Sequence, residues 1–518
     1  MSQTARPDSA ARTVELGGPL PRQDVVAVAR GGARVDLSDA AVKELTRTRA
    51  HVEALAEATE PTYGVSTGFG ALAVRHIPPS SRTALQRSLI RSHAAGAGAA
   101  VEPEVVRALM LLRLRTLSTG HTGVRPGTAA TLAALLNAGI TPVVHEYGSL
   151  GCSGDLAPLA AVALTLMGEG EVIAADGTLR PAADALREAG IEPVELAEKE
   201  GLALTNGTDG MLGMLVLALA DLHRLLDVAD LTAAMSVEAL LGTDRVFAAD
   251  LQALRPHPGQ ARSAQRIRDA LARSEIVASH RGPDCTRVQD AYSLRCSPQV
   301  HGAARDTLAH GELVADRELA AAVDNPVVLA DGRLESNGNF HGAPVAYVLD
   351  FLAIPAADVA SIAERRTDRM LDVARSHGLP AFLASDPGVD SGHMIAQYTQ
   401  AAVVSELKRL ANPASVDSIP SSAMQEDHVS MGWSSARKLR RTVDGLTTVL
   451  AVEYLTAARA LDFRAPLRPG PATAAARDLL RTRVDGPGPD RHLAPEIAAA
   501  EDLIRSGALL DAVADHLR

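Results

Sequence analysis

Two stretches, 343–375 and 434–463, hold an apolar period near 3.6 for about thirty residues each, far beyond the length of a strand. Both are rich in alanine and leucine, and their connections are short. Helices of that length with small-residue faces pack closely side by side. The expected fold class is therefore mainly α: an elongated bundle of long helices with a smaller, loop-rich N-terminal part. Pro355 interrupts the first stretch and marks a kink. Aromatic residues make up only 3% of the 518, so the core has to be built from Ala, Leu and Val.

Shorter helical patterns run through 105–117, 128–137, 156–167 and 211–240. Residues 24–35 alternate apolar and small side chains, which predicts a strand, and Ser38 is placed to cap a helix running to Glu57. Residues 169–201 are more polar, with Asp176-Gly177 as a turn between short strand-like pieces. Residues 255–299 hold Pro and Gly breaks without a long apolar period and are expected as loops bordering a site. The organisation expected is a disordered tail over 1–18, a catalytic body over 19–465, and a helical appendage over 466–518 packed on that body.

Several function classes lose support from bulk properties. A net charge of −11 favours neither a nucleic-acid nor an anionic-membrane partner. Residues 1–18 lack the apolar segment of a secretory signal, and the apolar run 211–220 ends at Asp221, too soon for a membrane span. Cys152, Cys285 and Cys296 form neither a disulfide framework nor a CxxC pair, which fits a reducing cytoplasm. No HExxH or paired His/Cys spacing suggests a metal, and no GxSxG elbow supports a serine nucleophile.

The loop Gly148-Ser149-Leu150-Gly151-Cys152-Ser153-Gly154-Asp155 has a chemical option that most turns lack. If the backbone is compressed, the Gly154 amide nitrogen can attack the Cys152 carbonyl carbon. Loss of water closes a five-membered ring, and loss of a second water from Ser153 leaves an exocyclic methylidene. Glycine at the third position is what lets that nitrogen approach. The product, 4-methylidene-imidazol-5-one, is an electrophile made from protein alone. The usual alternative for amine chemistry is pyridoxal phosphate on a lysine. Lys43, Lys408 and Lys438 lie in charged helical patterns and Lys199 in an acidic turn, none framed by a phosphate-binding loop.

The run from Gly148 through Asp155 and on to Leu159 resembles the prosthetic-group loop of the aromatic amino-acid ammonia-lyases, with Cys152 where the family usually has Ala. Other motifs follow in the family's order. Tyr63-Gly64 opens a loop ending Gly68-Phe69-Gly70, with Ser66 where Asn is usual. Ser92-His93 stands at the dipeptide that tracks substrate, and resembles the histidine-specific members. Leu204-Thr205-Asn206-Gly207, Gln289-Asp290-Ala291-Tyr292, Gly338-Asn339-Phe340-His341-Gly342 and Gln425-Glu426-Asp427-His428 complete the set. Ser421-Ser422-Ala423-Met424 also opens the signature of the fumarase and aspartase group, but the Pro-x-Lys-x-Asn continuation is missing.

The resemblance implies an activity and a division of labour. L-Histidine would lose ammonia to give trans-urocanate, the first step of histidine degradation, on a methylidene-imidazolone formed from Cys152, Ser153 and Gly154, with no metal or organic cofactor. Tyr63 would abstract the β-proton, a task that requires its ordinary pKa of about 10 to be tuned by the surroundings. Arg295 and Asn206 would hold the carboxylate, a planar guanidinium being suited to bidentate grip. Ser92, His93 and Glu426 would hold the imidazole, whose polar edges must be met when buried. Gln289 and Tyr292 would line the site, and Phe340 would pack beside the prosthetic group. The resemblance also implies a homotetramer whose sites draw on several subunits. The alternatives are a 2,3-aminomutase or a lyase for another aromatic amino acid on the same ring, and, from another class, an inactive helical scaffold in which Cys152 blocks ring formation.

Overall fold

The computed structural model describes residues 12–174, 176–282, 285 and 288–517. Helix makes up 60% of the structure and strand 7%, as the long helical periods require. By internal contacts the chain divides into two units. The first comprises Met1–Leu217, Glu312–Leu349 and Ala414–Arg437; the second comprises Ala218–Gly311, Asp350–Pro413 and Lys438–Arg518.

In the first unit, helix Pro103–Leu117 is buried on nearly every side, including Arg113 and Arg115, as an apolar helix without a polar face must be. Helices Leu156–Leu166 and Glu200–Thr205 are buried likewise. Four small sheets trim this core, one of them the antiparallel pair Val327–Val328 and Leu334–Glu335. Thr13–Leu16 pairs in parallel with Arg34–Leu37, Ala97–Ala100 with His145–Tyr147 antiparallel, and Glu171–Ile173 lies between Thr141–Pro142 and Leu179–Pro181. The last pairing realises the expected turn at Asp176-Gly177, where the Asp176 side chain accepts from the Thr178 N–H at 3.0 Å.

Two expectations change at the N-terminus. Residues 1–11 of the expected tail lie outside the described residues, but Thr13–Leu16 is a strand with Val14 and Leu16 buried, not tail. Residues 24–35 are not one strand. Arg22–Gly31 is a helix and only Arg34–Leu37 is extended. Val25, Val28 and Ala29 form the buried stripe of that helix, so the period is helical although the run of apolar and small residues imitates alternation. Ser38 does cap the next helix, Asp39–Glu57, accepting from the Ala41 N–H at 3.1 Å.

The second unit contains helix Pro258–Ala270, which corrects the expectation of loops throughout 255–299. Its arginine-rich outer face hides the stripe of Ala264, Ile267 and Ala270. Residues 466–518 also belong to this unit: the Tyr454 hydroxyl donates to Ala476 O at 2.5 Å. Its interior holds the ion pair of Arg366 and Glu453, both fully buried, with Thr232 and Ser236 each donating to Glu453 at 2.8 Å. A buried pair of this kind requires those extra donors, since isolated charges would not recover their lost hydration. Helices Asp209–Ala239, Ala343–Leu371 and Gly432–Asp462 are the long elements, and Ala343–Leu371 continues through Pro355. Among the described residues it alone has the length and hydropathy of a membrane span, yet 61% of that apolar window is buried in protein.

Candidate active site

The loop 148–155 is held at both ends by its own backbone. Gly148, Gly151 and Gly154 all have positive φ, with Gly154 at +83°. A Cβ on Gly154 would stand 2.0 Å from Gly207 O, so no other residue fits. The Asp155 N–H donates to Gly207 O at 2.7 Å. The fully buried Asp155 carboxyl accepts from the Ser149 hydroxyl at 2.8 Å and from the N–H groups of Gly210 and Met211 at 2.8 and 3.0 Å. Burial nevertheless pushes its pKa up to about 7, with those donors opposing the shift. On the other side, Gly151 O accepts from the buried Ser430 hydroxyl at 2.7 Å, and Leu150 O from the Met431 N–H at 2.9 Å. The loop is therefore pressed at Gly154 against the fixed backbone of Gly207, and bonded to it through the Asp155 N–H.

Cys152 and Ser153 form part of the wall of a cavity of about 1040 Å³, at the upper end of small-molecule sites. Tyr63, Ser92, His93, Asn206, Phe340 and Glu426 line the same cavity. Seven of the residues read from sequence as substrate or catalytic groups thus join Ser153 here, all but Cys152 from segments remote along the chain. Gly154 sits directly behind them. Glu426 faces the loop: it accepts from the Ser153 hydroxyl and the Cys152 thiol, each at 3.0 Å, and from the Ser421 hydroxyl at 2.9 Å. Burial, reinforced by that carboxylate, pushes the Cys152 thiol up to about 12.

Ser92 decides the chemistry of His93. Its hydroxyl donates its single proton to Leu89 O at 3.0 Å, so toward His93 Nδ1, 3.1 Å away, it can only accept. Nδ1 therefore carries the proton and Nε2 is a lone-pair acceptor. Burial lowers the His93 pKa and keeps the ring neutral. Tyr63 accepts from the Gly70 N–H at 3.4 Å, but burial raises its pKa, and the carboxylates of Glu426 and Asp324 add to the rise. Within one chain, nothing here makes that phenol more acidic than usual except the Gly70 bond. Sequence spacing gives His341 and His428 no role of their own, although both fall inside motifs of the set. Their rings stack at 5.3 Å in the cavity wall, with a contact of 3.2 Å between Nε2 and Nδ1.

Gln289, Tyr292 and Arg295 do not line this cavity. They belong to the second unit, where Gln289 borders a separate pocket. Tyr292 is 72% exposed, and the Arg295 guanidinium stacks over its ring at 4.7 Å. Arg295 Nε is buried without a hydrogen-bond partner. The expectation that these three share a site with Tyr63 and Ser153 is thus not met by the cavity of a single chain. Spacing in sequence carries no information about which copy of a chain closes a site.

Known proteins resemble the chain over nearly its whole length. A model of the aromatic amino acid lyase family matches residues 20–482. A histidine ammonia-lyase of Streptomyces avermitilis is 68% identical over 502 residues, covering 96% of this chain and 98% of the relative. The crystal structure of histidine ammonia-lyase from Trypanosoma cruzi superposes with a TM-score of 0.90 at 38% identity, covering 98% and 96% of the two chains. A tyrosine aminomutase from Streptomyces globisporus superposes equally well, with a TM-score of 0.91 at 39% identity over 97% of this chain and 99% of its own. Overall shape therefore leaves the choice among substrates to the residues of the cavity. This chain belongs to the aromatic amino acid lyase family.

Proposed function

We propose that this chain eliminates ammonia from L-histidine to give trans-urocanate, using a methylidene-imidazolone made from Cys152, Ser153 and Gly154. One observation carries it: the loop bearing Ser153 and the Ser92-His93 pair open onto a single cavity, with Glu426 beside both. Once formed, the ring supplies an electrophile that turns the substrate amine into a leaving group. The remaining work falls to side chains. His93 Nε2 accepts an N–H of the substrate imidazole. Loss of the Ser153 hydroxyl during maturation removes one of the donors engaging Glu426, which leaves Oε1 free to accept the second N–H of the ring when the imidazole is protonated. A phenyl ring would leave both acceptors without a donor and a phenol O–H could meet only one of them, a cost of about 1–3 kcal/mol for each buried group left unmet.

Tyr63 would take the β-proton, yet its raised pKa is wrong for a base at neutral pH unless a cation arrives. Arg295 from a second copy of the chain would supply that charge and grip the carboxylate, with Tyr292 and Gln289 arriving on the same segment. A homotetramer with shared sites accords with the exposed apolar side chains of the second unit, Phe351 and Ile354 on one helix and Ile395 and Tyr398 on another. A cytoplasmic location accords with the free state of Cys152, Cys285 and Cys296.

The test is incubation with L-histidine, following urocanate by its near-ultraviolet absorbance, alongside Ser153→Ala and an intact-mass measurement. The parent should form urocanate and weigh two waters less than the translated chain; the variant should do neither. Equal activity of the two proteins would end the proposal. A β-amino acid in place of urocanate would make the enzyme an aminomutase.

A further inference from the structure

Lys199 is one of the largest fully buried side chains, and its ammonium donates to Asp324 at 2.6 Å with both side chains at 0% exposure. The pair lies where two segments of the first unit run together. Lys199 precedes helix Glu200–Thr205 in a left-handed conformation, φ +69°, which a long side chain adopts only when its surroundings hold it there. Asn206 follows the same helix. Both ends of that helix reach the neighbouring segment 323–325. Lys199 binds the Asp324 carboxylate, and Asn206 Nδ2 donates to Asn325 O at 2.8 Å. Arg113, also fully buried, closes the frame by donating to Asn206 O and to Val323 O, each at 2.8 Å. Three consecutive residues are thus tied, one by one, to the segment that carries Asn206.

The consequence falls on the cavity. Because a carbonyl oxygen must be met by a donor, Asn325 O assigns the amide of Asn206 without ambiguity. Asn206 Oδ1 is then left buried without a partner, on a residue that lines the cavity. Ser336 and Asn337 hold the same segment from its other side, through the Asn325 side chain and Asp324 O, so on the side of helix Glu200–Thr205 the ties to it are Lys199, Asn206 and Arg113. We propose that Lys199, acting through Asp324 and Asn325, is a positioning residue that sets the orientation of the Asn206 amide in the cavity wall. The inference rests on the cavity being the amino-acid site proposed above. It differs from the bland account, in which a buried pair only stabilises the fold, by requiring that its effect pass through Asn206.

Removing one partner would strand a buried charge and threaten folding, so the test removes both: Lys199→Met with Asp324→Leu, a change that well-packed buried pairs often tolerate. This pair variant, Asn206→Ala and their combination form a cycle. Two quantities are read: kcat/KM for L-histidine, and the Kd of L-histidine by calorimetry on the inactive Ser153→Ala background. We expect the pair variant to lose roughly ten- to a hundredfold in kcat/KM, the scale of a displaced binding group, and to gain no further loss when Asn206 is already Ala. Losses that multiply in both readouts, as independent structural damage would, overturn the proposal. Lys199→Arg with Asp324 intact should recover part of the activity. A crystal structure of the pair variant reads the geometry without any ligand: an Asn206 amide that has left Asn325 O supports the proposal, and an unmoved one overturns it. Failure of the parent to process or bind histidine would instead sink the proposed function, so the two failures are told apart.

Discussion

The loop 148–155 and the segment 288–296 carry chemically ambitious residues, and the fold treats them in opposite ways. Around Ser153 nearly every polar group is spent: Asp155 is fully buried under three donors, and the carbonyls of Leu150 and Gly151 are both engaged. Along 288–296 the recognition groups are idle. Val288 is 92% exposed, Tyr292 stands out from the surface, and Arg295 has only the face of that tyrosine. The proposed self-modification has to be finished inside one chain, because the bond it forms joins neighbouring backbone atoms. Substrate recognition carries no such requirement and can be completed by another copy.

The largest effect expected from this contrast is at Gly154. Gly154→Ala places a methyl 2.0 Å from Gly207 O at a residue with positive φ. Ring closure should fail, activity should drop by at least roughly a thousandfold, and intact mass should retain both waters. A cyclised, active Gly154→Ala protein would break the claim that no other residue fits there. Next comes Arg295→Ala, expected to cost roughly 10²–10³ in kcat/KM while leaving the mass deficit intact, on the scale of truncating one partner of a charged contact. Co-expression of Arg295→Ala with Ser153→Ala sharpens the comparison, since hybrid assemblies would rebuild some sites from one good loop and one good arginine. Recovery of activity in the mixture is the expected result; none at all would place Arg295 and Ser153 in the same copy's site or outside it.

Ser92→Ala should have a smaller effect. His93 loses the acceptor that holds its Nδ1 proton, so KM for histidine should rise about fivefold, the worth of one ordinary hydrogen bond, with kcat changing less. An unchanged KM would remove Ser92 from substrate recognition. The smallest effect concerns pH. With its pKa pushed up to about 12, the Cys152 thiol stays protonated well into the alkaline range, and only the thiolate is nucleophilic. At about pH 8.5, where an ordinary thiol is half ionised, iodoacetamide should label the exposed Cys285 and spare Cys152, as read by peptide mass spectrometry. Labelling of Cys152 first would show that the loop is more open than its bonds indicate.

The long helices were legible because their period persists over many turns, and Ser38 because a cap is a local event. The strand expected over 24–35 failed for the converse reason: a ten-residue helix has too few turns to separate its stripe from alternation. Lys199 read as part of an acidic turn although it is fully buried, since its partner Asp324 lies 125 residues away. Most of the cavity's residues were legible as motifs, but not the bonds among them.

The order of residues along this chain determined the chemistry available to it: a glycine after a serine whose neighbour's carbonyl can be attacked, and an imidazole beside a hydroxyl. Tertiary structure alone decided which groups meet. Glu426 reaches Ser153 across 273 positions of sequence, and Arg113 ties Asn206 to Val323. Covalent order sets what each residue can donate, accept or form, whereas contact between remote residues depends on how the core packs. Arg295, whose Nε finds no hydrogen-bond partner and whose guanidinium meets only the Tyr292 ring, is a residue for which even a single folded copy does not complete the answer.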